Sequence, residues 1–490
     1  MSTTTDTTDS VAIGASRPLP DWLKGALLAG CIFFACWAGA ITWWRLNRSA
    51  PAGGELALYL LGVPSLLVLA FFVGHRLLGR STVRTAAPAV AGRQASAQDG
   101  AAPAPHAATL AILGAAVRSA HGVSPAELAA TLAAGTARAD LDPELVDDDG
   151  FPIMSVRSPD ARNEALQEQI ADWLAHHGLA DAGFGEEQWR ALVLGSAVVE
   201  ELAARAVAQL LPADGKPPLL RLAPLLPPDW SPDQRQAAAM WFEHLAERCG
   251  WPAAQVAFAA EAAPGLPIAL PSVLLDGLAR DAAAADAPGI ASGNAPVIAL
   301  VVACASHIGA DSVARWSADG TLFTSAHPHG RIPGEGAAGL LLADLSQAPA
   351  IGNAPFALLE PLHESRRAIS ADETRRADAS ALGEAAERAL ARHGNGDGAV
   401  TRIVADTGHR SSRVIELMGF MVGSMPQLDE VDDAVRVGEA CGASAAVPFI
   451  TALAIASHHA LDEEGPVLCI SNEDPYRRSA ALLQSGSISS

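Results

Sequence analysis

Two long apolar runs, separated by only eleven residues, dominate the N-terminal part of this 490-residue chain. Residues 22–44 (WLKGALLAGCIFFACWAGAITWW) contain one charged residue, Lys24, and residues 56–73 (LALYLLGVPSLLVLAFFV) contain none. A helix of about 20 such residues crosses the hydrocarbon core of a bilayer, and the tryptophans at both ends of the first run suit the membrane interfaces. The sequence therefore predicts two transmembrane helices, over residues 22–44 and 55–76.

Basic residues are distributed unequally on the two sides of these runs. Four arginines follow the second run, and Arg17 before the first run and Lys24 at its start are also basic, whereas the loop between the runs holds only two basic residues. The positive-inside rule then places both termini in the cytoplasm of a bacterial inner-membrane protein. Residues 1–21 form a cytoplasmic tail in this interpretation. A cleaved signal peptide fits less well, because the first run lacks a strongly basic leader and a second run follows at once.

A large acidic body follows the predicted anchor. Residues 81–107 are rich in Ala, Pro, Gly and Ser without an apolar period, which indicates a flexible linker. Residues 108–490 hold 25 Lys and Arg against 49 Asp and Glu. Such a body repels phosphate backbones, so nucleic acid is excluded as a partner. The six cysteines include no C-x-x-C pair, which indicates a reducing compartment without a disulfide framework.

The acidic part alternates apolar strands with amphipathic helices. Continuous apolar runs such as PVIALVVA suit strands that are buried on both faces of a sheet. We therefore expect an α/β layered domain. The principal predicted strands cover residues 109–116, 296–303, 336–342, 400–406 and 466–470, and the principal predicted helices lie at about residues 232–249, 271–285, 371–393 and 412–422.

Three segments of this part resemble the ketoacyl synthase branch of the thiolase fold. Residues 110–135 (LAILGAAVRSAHGVSPAELAATLAAG) are similar to that family's first strand, glycine-bearing loop and helix, and residues 297–322 to its mid-domain strand and helix. Residues 331–345 (RIPGEGAAGLLLADL) resemble its glycine signature, whose glycines let a turn and a strand pass close to neighbouring backbone. The resemblance implies a duplicated thiolase-like α-β-α layered domain with halves at residues 108–345 and 371–490, joined by a connecting segment at residues 346–370.

The same resemblance implies a cysteine at a helix N-terminus and two histidines in the second half. Residues 268–272 (IALPS) stand at the cysteine position, Thr407 at the position of the first histidine and Ala440 at that of the second. A decarboxylating condensation is therefore not expected, and no catalytic residue is assigned. The weak catalytic candidates are Ser272, which also fits a helix N-cap, Cys304, which also fits a core thiol, and His409.

Other polar clusters carry weaker signals. Cys304 and His307 follow a predicted strand and could form a Cys–His pair, although the match to the family separates them from the nucleophile position. His327 and His329 lack the carboxylates and spacing of a metal site, and no P-loop, G-x-S-x-G or H-E-x-x-H motif is present, so neither metal nor other cofactor is expected. The densest polar cluster after a strand end, interpreted as a ligand site or a structural salt-bridge network, comprises Asp406, His409, Arg410 and Glu416.

These patterns lead to one leading functional hypothesis and two alternatives. The leading hypothesis is a membrane-anchored, non-catalytic scaffold that forms a homodimer, as relatives of this fold do. Degenerate thiolase-like relatives occur among accessory proteins of type VI secretion, so a secreted effector or adaptor is a candidate partner by analogy. The alternatives are an acyltransferase or acyl-binding protein that meets an acyl carrier protein, and an immunity protein against a membrane-directed toxin. An open tunnel with a thiol or hydroxyl at its end favours the acyl alternative, whereas a filled tunnel favours the scaffold.

Overall fold

A computed structural model describes residues 107–211, 217–263, 270–285, 297–347, 354–373, 378–391, 393, 398–463 and 465–486. All of them belong to the unit Gly100–Ser490. The predicted tail, both predicted transmembrane helices and the linker up to residue 106 lie outside the described residues. Within the part of the chain that the structure describes, no helix combines the length and apolar composition needed to cross a membrane.

The first half of the domain alternates strands and helices, as the sequence predicts. Helix α4 begins with a capping box, in which Ser231 and Gln234 each accept a hydrogen bond from the backbone N–H of the other. The elements are β1 (Leu110–Arg118), α1 (Pro125–Ala133), β2 (Asp140–Val146), β3 (Pro152–Ser155), α2 (Glu164–His176), α3 (Glu186–Leu210), β4 (Leu220–Leu225), α4 (Pro232–Arg248), β5 (Val256–Phe258), α5 (Pro271–Ala285), β6 (Ile298–Ser306), α6 (Ala310–Ala318) and β7 (Glu335–Asp344).

The second half repeats the alternation with fewer insertions. Its central helix α10 is apolar on all sides, and such a helix is stable only when it is buried. The elements are β8 (Phe356–Leu359), β9 (His363–Arg366), α7 (Ser380–Leu390), β10 (Arg402–Ala405), α8 (Ser411–Ser424), β11 (Ala434–Arg436), α9 (Gly438–Cys441), α10 (Val447–Asp462), β12 (Val467–Ser471) and β13 (Arg477–Gly486).

The two halves have the same strand order and the same strand directions. The first half runs β5-β4-β6-β7-β1 and the second runs β11-β10-β12-β13-β8, with β9 beside β13. In each half the first three strands of this order are parallel to one another. The fourth strand pairs antiparallel with the third, and the fifth pairs antiparallel with the fourth. Strand β1 also pairs antiparallel with β8, which joins the halves into one continuous sheet. The duplication that the resemblance implies is thus present in the fold.

Helices cover both faces of this sheet in layers. One apolar cluster packs α1, α5 and α10 against strands of both halves, including Val301 and Leu340 of the first and Val404 and Leu483 of the second. A second cluster packs α2, α3 and α4 on the other face of the first half, and a third packs α7 and α8 on the second half. Helices α1, α5 and α10 therefore form one layer that packs against strands of both halves.

Some elements differ from the sequence predictions. Residues 346–370, predicted as a connecting segment, contribute β8 and β9 to the sheet. The strand β13 was not predicted, and the helix expected over residues 371–393 begins only at Ser380. Strands β8 and β9 are four residues long, so their apolar pattern is too short to show a period. Pairing with β1 and β13 determines these strands more than local propensity does.

The two halves touch through glycine backbone near the start of the glycine signature. Pro333 forms a β-bridge with Ala443, and the Ala443 N–H donates to the Ile332 carbonyl at 2.8 Å. A Cβ atom on Gly334 would lie 2.0 Å from the Cys441 carbonyl oxygen. Gly442 opposite has φ +58°, in the left-handed region. The signature glycine therefore allows the close backbone approach that the sequence predicts.

A buried ion pair fixes the strand that follows this contact. Glu335 at the start of β7 is fully buried and accepts two hydrogen bonds from the Arg190 guanidinium of α3, at 2.8 and 2.5 Å. The Ser306 hydroxyl and the Ser158 backbone N–H complete its partners, at 2.9 and 2.7 Å. All these donors converge on one carboxylate, which satisfies the charge inside the core.

The contact between the halves yields a stability prediction. We expect Gly334→Ala to lower the free energy of unfolding by about 1–3 kcal/mol or more, because the new methyl group meets backbone that cannot rotate away. Urea denaturation followed by circular dichroism measures the change. Gly383→Ala in α7 is the matched control, since no atom lies within 4 Å of its added Cβ. A loss of stability no larger than that of the control contradicts the role of this contact.

Candidate functional site

A cavity of about 700 Å³ is lined by residues of both halves. It lies where β4, β6, β10 and β12 end, because the residues at or just after their last positions contribute to its wall. The start of α5 and the segment leading into α10 complete it. The carboxyl ends of parallel strands are the usual ligand-binding edge of an α/β sheet. This position makes the cavity the candidate functional site.

Both apolar and charged side chains line the cavity. The apolar ones include Leu225, Leu226, Leu270, Ile332 and Phe449. The charged residues and histidines, which come mostly from loops, are Asp229, His307, Arg315, Arg331, Glu364, Asp406, His409, Arg410, Glu473, Asp474 and Arg477. A cavity with both kinds of side chain suits a ligand that has an apolar part and a charged or polar end.

The predicted serine lies in this cavity. Helix α5 begins at Pro271, as the sequence predicts, and Ser272 in its first turn is buried and lines the cavity. The N-terminal turn of a helix has unpaired backbone N–H groups and a partial positive charge. Ser272 therefore stands at the helix start at which the resemblance implies a cysteine.

No thiol of the described residues lines the cavity. Cys304 is fully buried in β6 and packs towards α3, where a Cβ on Gly195 would lie 3.0 Å from its sulfur. Burial raises the pKa of the Cys304 and Cys441 thiols to about 12, and it also raises those of Cys469 and the half-buried Cys249. These thiols are therefore protonated at neutral pH and are poor nucleophiles. The sulfur of Cys304 lies in the core and not in the cavity, so the structure does not support the Cys–His pair considered for this residue.

Asp406 is the most enclosed carboxyl group of the cavity wall. Its oxygens accept hydrogen bonds from the Ser471 hydroxyl at 2.5 Å, the Asn472 N–H at 2.8 Å and the Glu473 N–H at 3.3 Å. Burial raises its pKa to about 6, against the opposing effect of these hydrogen bonds. Asp406 thus ties the end of β10 to the loop after β12.

Arg410 and His409 extend this polar wall. The Arg410 guanidinium donates to a Glu473 carboxylate oxygen at 2.9 and 2.6 Å, and the Gly408 N–H donates to the other oxygen at 3.0 Å. The His409 ring packs edge-on against Phe323, with ring centres 5.2 Å apart. Burial lowers the His409 pKa, and its Nε2 is buried without a hydrogen-bonding partner.

Glu416 does not line the cavity and belongs to a separate ion network. It is buried in α8, where Arg367 donates to it at 2.8 Å and Arg478 donates to both of its oxygens at 2.8 Å. The structure therefore divides the predicted polar cluster. Asp406, His409 and Arg410 face the cavity, whereas Glu416 holds α8 against β13.

Ser272 and the candidate His409 both line the cavity, whereas Thr407 and Ala440, at the implied histidine positions, are not among its lining residues. Two other cavity residues were not predicted as ligand contacts. His307 follows β6, and Arg331 precedes the glycine contact. Both contact the Trp316 ring, His307 with ring centres 5.0 Å apart and the Arg331 guanidinium at 5.5 Å. His327 and His329 are exposed, and the described residues contain no cluster of groups suited to a metal ion. The position of His307 directly after a buried strand is the sequence signal that could have identified it.

This architecture defines a thiolase-like α/β domain whose site lies between duplicated halves. A ketosynthase from module 6 of the bacillaene synthase of Bacillus subtilis 168 has the same fold, with a TM-score of 0.51, 13% identity, and coverage of 78% of this chain and 72% of that chain. The ishigamide ketosynthase/chain length factor is 18% identical, with a TM-score of 0.45, and covers 77% of this chain and 99% of its own.

A third similar structure is a type II polyketide synthase ketosynthase in complex with its acyl carrier protein, bound to the hexaketide. It is 14% identical, has a TM-score of 0.46, and covers 78% of this chain and 100% of its own. No protein-family model matches the chain, and no curated protein matches its sequence. The chain therefore has a ketosynthase-like thiolase fold, as the resemblance implies, while the comparisons leave its activity open.

The raised pKa of Asp406 predicts how stability depends on pH. Its folded-state pKa of about 6 lies above the ordinary value of 3.8, so the folded protein binds the proton more tightly than the unfolded chain does. Protonated Asp406 therefore contributes to the free energy of unfolding at low pH, and this contribution is lost as the pH rises from about 4 to about 6. We expect wild type to lose about 3 kcal/mol relative to Asp406→Asn over this window. Urea denaturation at a series of pH values measures the difference, and parallel curves for the two proteins contradict it.

Proposed function

We propose that this chain is a membrane-anchored, thiolase-like protein that binds a small anionic acyl ligand and carries out no condensation through cysteine. The observation that carries the proposal is the open cavity of about 700 Å³, which has apolar and charged lining residues and no thiol from the described residues. A cavity of this size is in the range of sites that bind small molecules. It argues against a domain whose tunnel is filled by side chains.

The chemistry of the wall argues against a cysteine-dependent ketosynthase. The helix start that resembles the nucleophile position carries Ser272, and the strand and helix positions of the two histidines carry Thr407 and Ala440. Thr407 is fully buried, and its hydroxyl donates a hydrogen bond to the Asn472 side chain at 2.6 Å, which gives this hydroxyl a structural partner. No group in these places can form the thiolate that attacks a thioester.

Arg331 supports an anionic end of the ligand. It lines the cavity, is exposed, and packs on Trp316. Unlike Arg315 and Arg410, it makes no ion pair with a carboxylate of the described residues. An unpaired guanidinium can bind a carboxylate through two parallel hydrogen bonds. The apolar side chains nearby, including Leu225 and Phe449, then suit the acyl chain.

A binding experiment tests this proposal on the full-length protein. We expect octanoate to bind in isothermal titration calorimetry, and Arg331→Ala to weaken binding about tenfold, because a hydrogen-bonded charge pair is lost. Arg280→Ala is the control, since this exposed arginine of α5 pairs with Asp276 and does not line the cavity. Absence of octanoate binding, or an equal effect of both variants, contradicts the proposal.

Covalent labelling tests the absence of catalysis by cysteine. We expect mass spectrometry to find no adduct after incubation with acyl thioesters or a cerulenin-like alkylator, because the described cysteines are protonated and lie away from the cavity. A stable acyl group on Ser272, or an alkyl group on a cysteine, would instead assign the protein to the acyltransferase alternative.

A second candidate function is the scaffold, and one surface favours it. The hairpin of β2 and β3 carries three exposed apolar side chains, Leu141 at 61%, Val146 at 50% and Phe151 at 67% exposure. Exposed apolar groups gathered on one small element are typical of a protein contact. We expect Phe151→Ser to lower the association constant of the predicted homodimer in analytical ultracentrifugation, and an unchanged constant argues against this surface.

The location and the other partners are part of the proposal. Two-pass insertion in a bacterial inner membrane, with the acidic domain in the cytoplasm, is supported by the two apolar runs and the arginines that follow them. A type VI secretion effector or adaptor, an acyl carrier protein and an immunity role are supported only by analogy with the fold.

A further inference from the structure

A chain of hydrogen bonds lies directly behind the cavity wall, and neither the fold nor the proposed function assigns it a role. It joins His307 after β6, Ser312 in α6 and Glu187 in α3. Ser312 and Glu187 are buried, and Gly309 between the elements leaves the space that Glu187 occupies, since a Cβ there would lie 2.6 Å from Glu187 Cγ. Three elements of the first half therefore converge on one imidazole.

The partners of Ser312 determine the direction of these hydrogen bonds. Its Oγ lies 2.8 Å from Glu187 Oε2, 3.2 Å from His307 Nδ1 and 3.0 Å from Arg315 Nη2. A hydroxyl has one hydrogen to donate and two lone pairs, a guanidinium can only donate, and an ionised carboxylate can only accept. Burial raises the pKa of Glu187, and the Ser312 hydrogen bonds and the Arg315 charge oppose this shift. When Glu187 is ionised, the Ser312 hydrogen goes to it, and the Ser312 lone pairs accept from Arg315 and from His307.

The ring of His307 is thereby held in one tautomer. Its Nδ1 carries the hydrogen that Ser312 accepts, so in the neutral ring Nε2 has a free lone pair. Burial lowers the pKa of His307 to about 4, in a field set by Asp229, Arg315 and Arg331, so the ring is neutral at pH 7. Within the described residues Nε2 has no hydrogen-bonding partner, and His307 lines the cavity.

We propose that His307 Nε2 accepts a hydrogen bond from a hydroxyl group of the ligand, so that the cavity selects hydroxyacyl carboxylates over unsubstituted acids. His307 and Arg331 both line the cavity and both contact the indole of Trp316, so an acceptor and a carboxylate-binding group belong to the same part of the site. A hydroxyl near the carboxylate of the ligand satisfies both. This inference rests on the proposed function, because it names the class of acyl ligand. Ser312 and Glu187 are positioning residues in this arrangement.

The first test is the tautomer itself, read by heteronuclear NMR of histidine-labelled full-length protein at pH 7. We expect His307 to be protonated at Nδ1 and unprotonated at Nε2. The Ser312 backbone N–H also donates to Glu187 Oε1, at 3.0 Å. In Glu187→Gln the amide oxygen must take that place, so the amide NH2 donates to the Ser312 hydroxyl, whose hydrogen then points to Nδ1, and the tautomer should reverse. Hydrogen at Nε2 in the wild-type protein overturns the inference, and this reading needs no variant and no ligand.

The second test is a pair of ligands that differ by one hydroxyl. We expect β-hydroxyoctanoate to bind about threefold to tenfold more tightly than octanoate, as one net hydrogen bond implies. His307→Leu should lose this preference while still binding octanoate, because leucine has no ring nitrogen to pair with the hydroxyl. His176→Gln, an exposed histidine of α2, is the control and should retain it. Equal binding of the two acids to the wild type overturns the inference but leaves the proposed function standing, whereas failure to bind either acid overturns the proposed function.

Discussion

The close approach of backbone at Gly334 and Gly442 is the contact on which the arrangement of the site depends. It sets the first half against the second without any intervening side chain. The His307 N–H donates to the Gly334 carbonyl at 3.0 Å, so the residue that lines the cavity from the first half is held by the same turn. From the other side, the segment after Gly442 leads directly into the cavity wall and α10. A single glycine contact thus aligns the two walls.

Buried and partly buried ion pairs fix elements in both halves. Glu335 joins α3 to β7, Glu416 joins α8 to β13, and Glu473 joins Arg410 to the loop after β12. Such pairs add little net stability over apolar packing, because removing charges from water costs as much as their attraction returns. Their value here is positional, since each guanidinium has hydrogen-bonding partners at defined distances and holds one element of the fold against another.

The sequence predicts the framework well and the polar details poorly. The apolar run over residues 296–303, the helix at residues 271–285 and the glycine signature were sufficient to indicate the fold and to place Ser272 at a helix start. Strands β8, β9 and β13 were not predicted, because they are short or have a mixed apolar and polar sequence and depend on pairing with distant strands. The hydrogen bond between Glu187 and Ser312 joins residues 125 positions apart, so no local pattern reveals it. Long-range polar contacts of this kind require the folded chain.

The pairing of β1 with β8 has a consequence for how a ligand enters. Because the sheet continues through both halves, its hydrogen bonds at Leu110, Ala111 and Ile112 leave no flexible hinge between them. A hinge motion that separates the two halves would break these β1–β8 hydrogen bonds and the apolar layer that includes α10. A molecule that enters the cavity must therefore pass the loops and side chains at its opening, and the exposed Arg331 side chain is one of them.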